Sequence, residues 1–411
     1  MNLRSSRPTA EFDSPCCAAS KMRGYLVNNM KYLINSEIGT GPNKPQSKST
    51  PLILSLFALA LLARCGQTSL AQSHKNIGEP HLGLINPQAV AFNPGTGKAY
   101  TVDTDAGEVV IVNDATNSII RVKVGVGPVS IAVNTRDGRA YVANAGDGTV
   151  SVIDGKSDAV DATLPVGAHP YSIASDSGAG KIYVSRTYSD QLMVIDATTN
   201  LVSGVKTGSP DLLAVNPRTQ TVYMIGYEGG DLRAMNEASQ LLSNYPIGIH
   251  AWGIAINPDT NAVYIARPGN AEIAVIDPGS PSPRMIPAEQ IPCALAINPH
   301  TNTIFAVNYG SSTVTVIDGA KGLAISQIPT GLRPEAIAVD AEHNLIYVAN
   351  TKSNSVTVID GDTDTVLASL EAGHAPYALA VDTSAGKLHV ANLDRTAYTT
   401  IDVSRIRQPA H

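Results

Sequence analysis

Glu335-Ala-Ile-Ala-Val-Asp340, Leu345-Ile-Tyr-Val-Ala-Asn350, Val356-Thr-Val-Ile-Asp360 and Val366-Leu-Ala-Ser-Leu-Glu371 follow one another with only short polar joints between them. The alternation of apolar and polar residues reads as strands. Ala341-Glu-His-Asn344 is a polar turn, and Asp360-Gly361 opens a tight one. Four short antiparallel strands with tight joints make the blade of a β-propeller. The unit then recurs. Tyr100, Tyr141, Tyr183, Tyr223, Tyr264, Phe305, Tyr347 and His389 head equivalent second strands at spacings of 41, 42, 40, 41, 41, 42 and 42 residues. Units that cannot bury their own faces must stack, so the repeat predicts one all-β body rather than several domains.

Strand counting sets the blade number. Eight copies of the first three strands lie between Pro87 and Asp402, with only seven fourth strands between them. Residues 75–85 would supply the missing strand, latching the ring from the N-terminal side. Eight blades are therefore expected, with seven as the alternative. The propeller is placed at 84–403, a linker and latch strand at 72–83, and a tail at 404–411.

The first 71 residues read as targeting sequence. Pro51 to Ala63 is an uncharged apolar run, too short to span a bilayer comfortably and suited to a signal-peptide h-region. Lys44 and Lys48 precede it, and Ser69-Leu-Ala71 places cleavage after Ala71. Met30 is an alternative start. The chain is expected to be exported, periplasmic or extracellular. Membrane attachment would come only from an uncleaved signal or from lipidation at Cys65, where Arg64 departs from the required small residue. Cys293 alone remains in the mature chain, so no internal disulfide is expected.

Residues 1–71 carry eight Lys/Arg against three Asp/Glu, and the rest carry 21 against 32. An acidic body repels phosphate backbones, which argues against nucleic acid as a partner. The single Trp argues against a Trp-Asp repeat propeller.

The recurring Tyr-Val-Ala-Asn followed by Val-x-Val-Ile-Asp resembles the YVTN family of β-propeller repeats over roughly residues 84–402. The resemblance implies an exported or surface protein and no shared catalytic set. Related propellers serve as lactonases or as subunits beside redox cofactors. His389 in place of Tyr, and Tyr223-Met-Ile-Gly226, depart from the pattern.

A ligand lacks eightfold symmetry, so residues serving one should differ between units. The link before each first strand is such a place. Around the ring it carries Asn86 and Gln88, Gly127 and Val129, His169 and Tyr171, Ser209 and Asp211, His250 and Trp252, Ile291 and Cys293, Arg333 and Glu335, then His374 and Tyr377. Arg186, Tyr188, Tyr227, Arg267, Tyr309, Lys352 and Arg395 follow second strands and are expected on the same face. Arginine forks suit carboxylates, and Tyr and Trp offer flat stacking surfaces. The ligand-binding rim is therefore assigned to His169, Tyr171, Arg186, Asp211, His250, Trp252, Arg267, Arg333, Glu335, His374 and Tyr377.

This predicts a non-enzymatic binding protein for a small anionic ligand or an envelope protein. The alternatives are a lactonase-like hydrolase or lyase using a rim His, with or without a divalent cation, and an architectural envelope protein. No cofactor and no metal is expected. His169, His250 and His374 come from separate blades, as do Asp211 and Glu335, and Cys293 at a strand start reads as packing. The repeated Asp154, Asp318 and Asp360 read as turn residues rather than metal ligands.

Overall fold

The computed structural model describes residues 90–226, 230–393 and 398–406, all within one compact unit, Gly78–His411. The expected signal, Cys65 and the latch strand at 75–85 lie outside the described residues, as do Tyr227 and Arg395.

Each period folds as an antiparallel sheet whose strand order follows the chain. Blade 1 comprises β1 (Val90–Asn93), β2 (Lys98–Asp103), β3 (Glu108–Asn113) and β4 (Ser118–Lys123). Six further four-stranded sheets follow. The eighth has β29 (Pro376–Asp382), β30 (Lys387–Asn392) and β31 (Tyr398–Asp402) among the described residues. Each blade's first strand packs on the first strand of the next, and β29 packs on β1, closing the ring. The protein is an eight-bladed β-propeller.

The aromatic heading each second strand shows how the blades stack. Tyr100, Tyr141, Tyr264, Phe305 and Tyr347 are wholly buried, and the apolar clusters join neighbouring blades. First strands keep partly exposed middles because they face the central channel, as in β21 (Pro292–Asn298) and β25 (Pro334–Asp340).

The turn residues act as expected and also bind the blades together. The Asn before each turn proline accepts a backbone N–H two residues on: Asn216 from Arg218 at 3.0 Å, Asn257 from Asp259 at 2.9 Å, Asn298 from His300 at 3.0 Å. Their Nδ2 groups donate to the next blade, Asn216 to Asn261 at 2.9 Å, Asn257 to Asn302 at 2.7 Å and Asn298 to Asn344 at 2.6 Å. Asp154 Oδ1 accepts the Lys156 and Ser157 N–H groups at 2.9 Å, and Asp318 Oδ1 caps its turn in the same way. These Asp residues are structural.

The eighth unit's departure has a compensating partner. In blade 1 the Tyr100 hydroxyl faces Gly155 of blade 2, where a Cβ would lie 3.1 Å away. At the blade 8–blade 1 seam the ring is the shorter His389, and Asp114 replaces glycine. His389 Nε2 lies 2.8 Å from Asp114 Oδ2, both side chains are almost fully buried, and the imidazole stacks on Phe92. Lys387 of blade 8 donates to the Asp114 carbonyl and to Asn117 Oδ1, both at 2.9 Å. A polar clasp thus closes the ring.

Candidate functional site: the channel-mouth face

The links and the loops after second strands emerge together. Ala145, Thr187, Tyr309 and Thr351 donate backbone N–H groups to the carbonyls of Gly127, His169, Ile291 and Arg333 at 2.9–3.0 Å. Each of those four acceptors has a left-handed backbone, φ between 53° and 60°, just before the strand-opening proline. His250 has the same conformation at φ 62°. His169, His250 and Arg333 therefore share one face. In the last link Ala375, not His374, takes the left-handed position, with φ 52°. His374 stands one residue earlier and is exposed.

The second assigned position is a β-bulge. Register slips between Pro128 and Ser130, Pro292 and Ala294, Pro334 and Ala336, and Pro376 and Ala378, leaving Val129, Cys293, Glu335 and Tyr377 as the extra residues. Tyr171 sits in the corresponding irregularity of blade 3. A bulge re-aims its side chain, and these residues are half-buried at the channel wall. Burial pushes the Tyr377 hydroxyl up to about 12, helped by the Asp103 charge. Burial raises Tyr171 as well, with the nearby Asp211 adding to it.

Two groupings form. At blades 6 and 7 the Arg333 guanidinium lies 5.5 Å from the Tyr309 ring centre, within cation–π range. Burial raises the Glu335 carboxyl, against the lowering pull of the Thr351 hydroxyl and the Arg333 charge. Cys293 Sγ is 3.6 Å from the Val307 and Pro334 carbonyls, and burial pushes its thiol up to about 12. Seated between carbonyls of neighbouring blades and against a buried apolar cluster, the thiol packs as a small apolar group.

The other grouping spans blades 3 to 5. Four of the eight second strands end in Asn, which donates to hydroxyls on the third strand, as from Asn144 to Ser151 at 3.0 Å and from Asn308 to Thr315 and Asn350 to Thr357 at 2.9 Å. Blades 3 and 5 put Arg186 and Arg267 there. Blade 4 has Gly226, and an arginine reappears one strand over as Arg233. The link glycines make room, since a Cβ on Gly167 would collide with the Arg186 guanidinium and one on Gly208 with that of Arg233. Arg267 is neutralised by Glu272 at 2.7 Å. Arg186 donates from Nη2 to Ser189 at 2.8 Å and Gln191 at 3.3 Å, while its buried Nε has no partner among the described residues. Arg233 makes no ion pair among the described residues. Trp252 Nε1 is likewise buried without a partner among the described residues.

Between blades 3 and 4 the face opens into a cleft of about 530 Å³ lined by His169, Arg186, Tyr188, Asp190 and Ser209 among others. No three His, Cys, Asp or Glu side chains that could hold a metal ion come together among the described residues. The exposed large apolar residues also mark this face: Val126, Tyr188, Ile249, Leu332 and Leu393 all belong to its links and loops. The other exposed ones lie on or beside outer strands. The bulge and the Arg233-for-Asn exchange escaped sequence reading. The unusual Gly226 beside Arg233 was the only signal of the exchange.

No family model matches the chain, and no curated protein does. Among solved structures it is similar to hydrazine synthase of Kuenenia stuttgartiensis, at 18% identity and TM-score 0.55 over 81% of this chain and 99% of that one. It is also similar to dihydro-heme d1 dehydrogenase NirN, at 14% and 0.66 over 89% and 86%. A functionally unknown protein from Desulfotomaculum acetoxidans matches at 12% and 0.57 over 72% and 100%. At these identities the likeness is one of fold, so function has to be argued from the site.

Proposed function

We propose that this propeller is an exported binding protein that takes a small anionic ligand, or the anionic group of an envelope protein, on its channel-mouth face. One observation carries the reading. Blades 3 to 5, where the repeat departs furthest from itself, bring arginine, histidine, tyrosine and tryptophan to one arc of one face. His389 meets the Asp114 carboxylate, whereas among the described residues Arg233 meets no acid and Arg186 Nε and Trp252 Nε1 have no hydrogen-bond partner. Concave surfaces with a few converging polar groups and aromatics are the usual binding sites. Export is supported by the apolar run 51–63 and the small residues before position 72.

Trp252 is the only tryptophan, so its fluorescence reports on this face alone. The full chain is screened by thermal shift against sugar acids, dicarboxylates and short peptides, and each stabilising compound is titrated against Trp252 emission. The expected result is a melting shift with a saturable emission change, both lost in His250→Ala/Trp252→Ala or Arg186→Gln. Compounds that raise the melting temperature but leave all those readouts untouched bind elsewhere and refute the reading.

A further inference from the structure

The three arginines of the arc are not equivalent. Arg267 is matched by Glu272. Arg186 borders the cleft, and Arg233 lies against Gly208, next to the cleft residue Ser209. The carboxylate in the cleft, Asp190, is engaged by Lys206 at 3.3 Å. Among the described residues neither Arg186 nor Arg233 forms an ion pair, so both guanidinium charges stand without an acid of their own on a body that is strongly acidic. His169 is exposed at the cleft edge, where a ring N–H can donate to an anion. Arg186 is anchored through Nη2, which donates to both Ser189 and Gln191, so its Nη1 is left to meet a ligand. Guanidinium groups recognise carboxylate and phosphate oxygens in pairs.

We propose that the cleft between blades 3 and 4 is an oxyanion pocket, in which Arg186 and His169 contact a compact carboxylate- or phosphate-bearing ligand and Arg233 reinforces the field from behind Ser209. This rests on the channel face being the binding face, and it narrows the site to one cleft and the ligand to one chemistry. Tyr188, 89% exposed at the lip, would cover the ligand's uncharged part.

The test is calorimetric titration of the full chain with citrate, succinate and inorganic phosphate at low ionic strength. Saturable binding of at least one is expected, weakened at least tenfold in Arg186→Gln, which removes a charged donor from the ligand, and by a smaller factor in Arg233→Gln, which removes only a charge set behind Ser209. Ser209→Glu places a negative charge in an exposed position of the cleft and should abolish binding without disturbing the core. That keeps the test decisive if an arginine variant unfolds. A preference for citrate and succinate over phosphate would mark the ligand as a carboxylate, and the reverse as a phosphate. Unchanged binding in Arg186→Gln and Ser209→Glu overturns the pocket. If binding is instead lost in His250→Ala/Trp252→Ala, the channel face stands and the cleft is wrong. If none of the three anions binds at millimolar concentration, the pocket is overturned, and the face is then judged by the Trp252 titrations alone.

Discussion

Replacing His389 by tyrosine would restore the repeat's usual residue and should nonetheless destabilise the ring. The site is full: His389 is completely buried, stacked at 6.0 Å on Phe92 and 2.8 Å from an Asp114 carboxylate that is itself 2% exposed. A tyrosine adds volume where Asp114 already fills the place that Gly155 leaves open for Tyr100. Overpacking of this kind costs about 1–3 kcal/mol, and loss of the buried bond to a charged acceptor adds about 1.5–3 kcal/mol. The single variant should therefore lose about 3–5 kcal/mol. Asp114→Gly alone strips the imidazole of its acceptor and should lose about 1–3 kcal/mol. The double variant His389→Tyr/Asp114→Gly recreates the Tyr–Gly seam of blades 1 and 2. It should recover about 2 kcal/mol relative to the sum of the singles, the size of coupling expected for residues in contact. Denaturant unfolding followed by circular dichroism gives all three values. Additive losses, within about 0.5 kcal/mol, would refute the idea that the histidine and the aspartate replace each other's lost fit.

Acid should open the same seam. Burial lowers the His389 pKa below its ordinary 6.5 despite the Asp114 charge, so the unfolded chain takes up the proton first. Stability is then full above pH 6.5 and falls as pH drops below it, and His389→Phe should flatten this acid limb in melting curves. The blade 3–blade 4 seam should behave oppositely. Burial and the Asp176 charge raise the Glu237 carboxyl from 4.5 to about 7, against the lowering pull of Tyr183 and Lys181. Its contribution is complete below pH 4.5 and lost as pH rises through about 7, so Glu237→Gln should remove that alkaline slope; an unchanged slope would place its cause elsewhere. Cys293 should alkylate with iodoacetamide at pH 8 far more slowly than a free thiol, since its pKa stands at about 12. Gly155→Ala should cost at least about 2 kcal/mol through collision with the Gly138 carbonyl and the Tyr100 hydroxyl.

The blades were legible because their signals are local. The four strands quoted from the seventh unit appear as Pro334–Asp340, Leu345–Asn350, Ser355–Asp360 and Thr365–Glu371, within one residue of the expected starts. Period-two alternation and Asn-Pro and Asp-Gly turns act within a few residues, so one sequence reveals them. The face was legible for a related reason. Every link has the same length class and ends in a strand-opening position, so His169, His250 and Arg333 had to emerge together. What could not be read depends on neighbours across a seam or on backbone irregularity. The bulge that sets Cys293, Glu335 and Tyr377 out of register leaves no composition signal, because it is a shift in pairing rather than a residue type. The one-residue offset of His374 follows from the same dependence on register. His389 looked like decay of the motif until Asp114, 275 residues away in sequence, was found beside it.

That contrast gives a criterion for separating architecture from recognition in a repeat protein. Where a unit departs from its siblings for the sake of the fold, the change is answered at the adjoining position: His389 by Asp114, Arg267 by Glu272, and Arg186 in part by Gln191. Such pairs lower their own cost, since a buried polar group with its partner loses little on folding. Arg233 answers Gly226 only in volume, because no acid meets its charge among the described residues. Trp252 buries an indole N–H that has no acceptor among the described residues. Unanswered departures remain costly until something outside the fold satisfies them. They belong to blades 4 and 5, and Arg233 lies against Gly208, next to the cleft residue Ser209. A ligand that binds there should therefore stabilise the propeller as it binds, because it would supply the partners that these blades do not supply to one another.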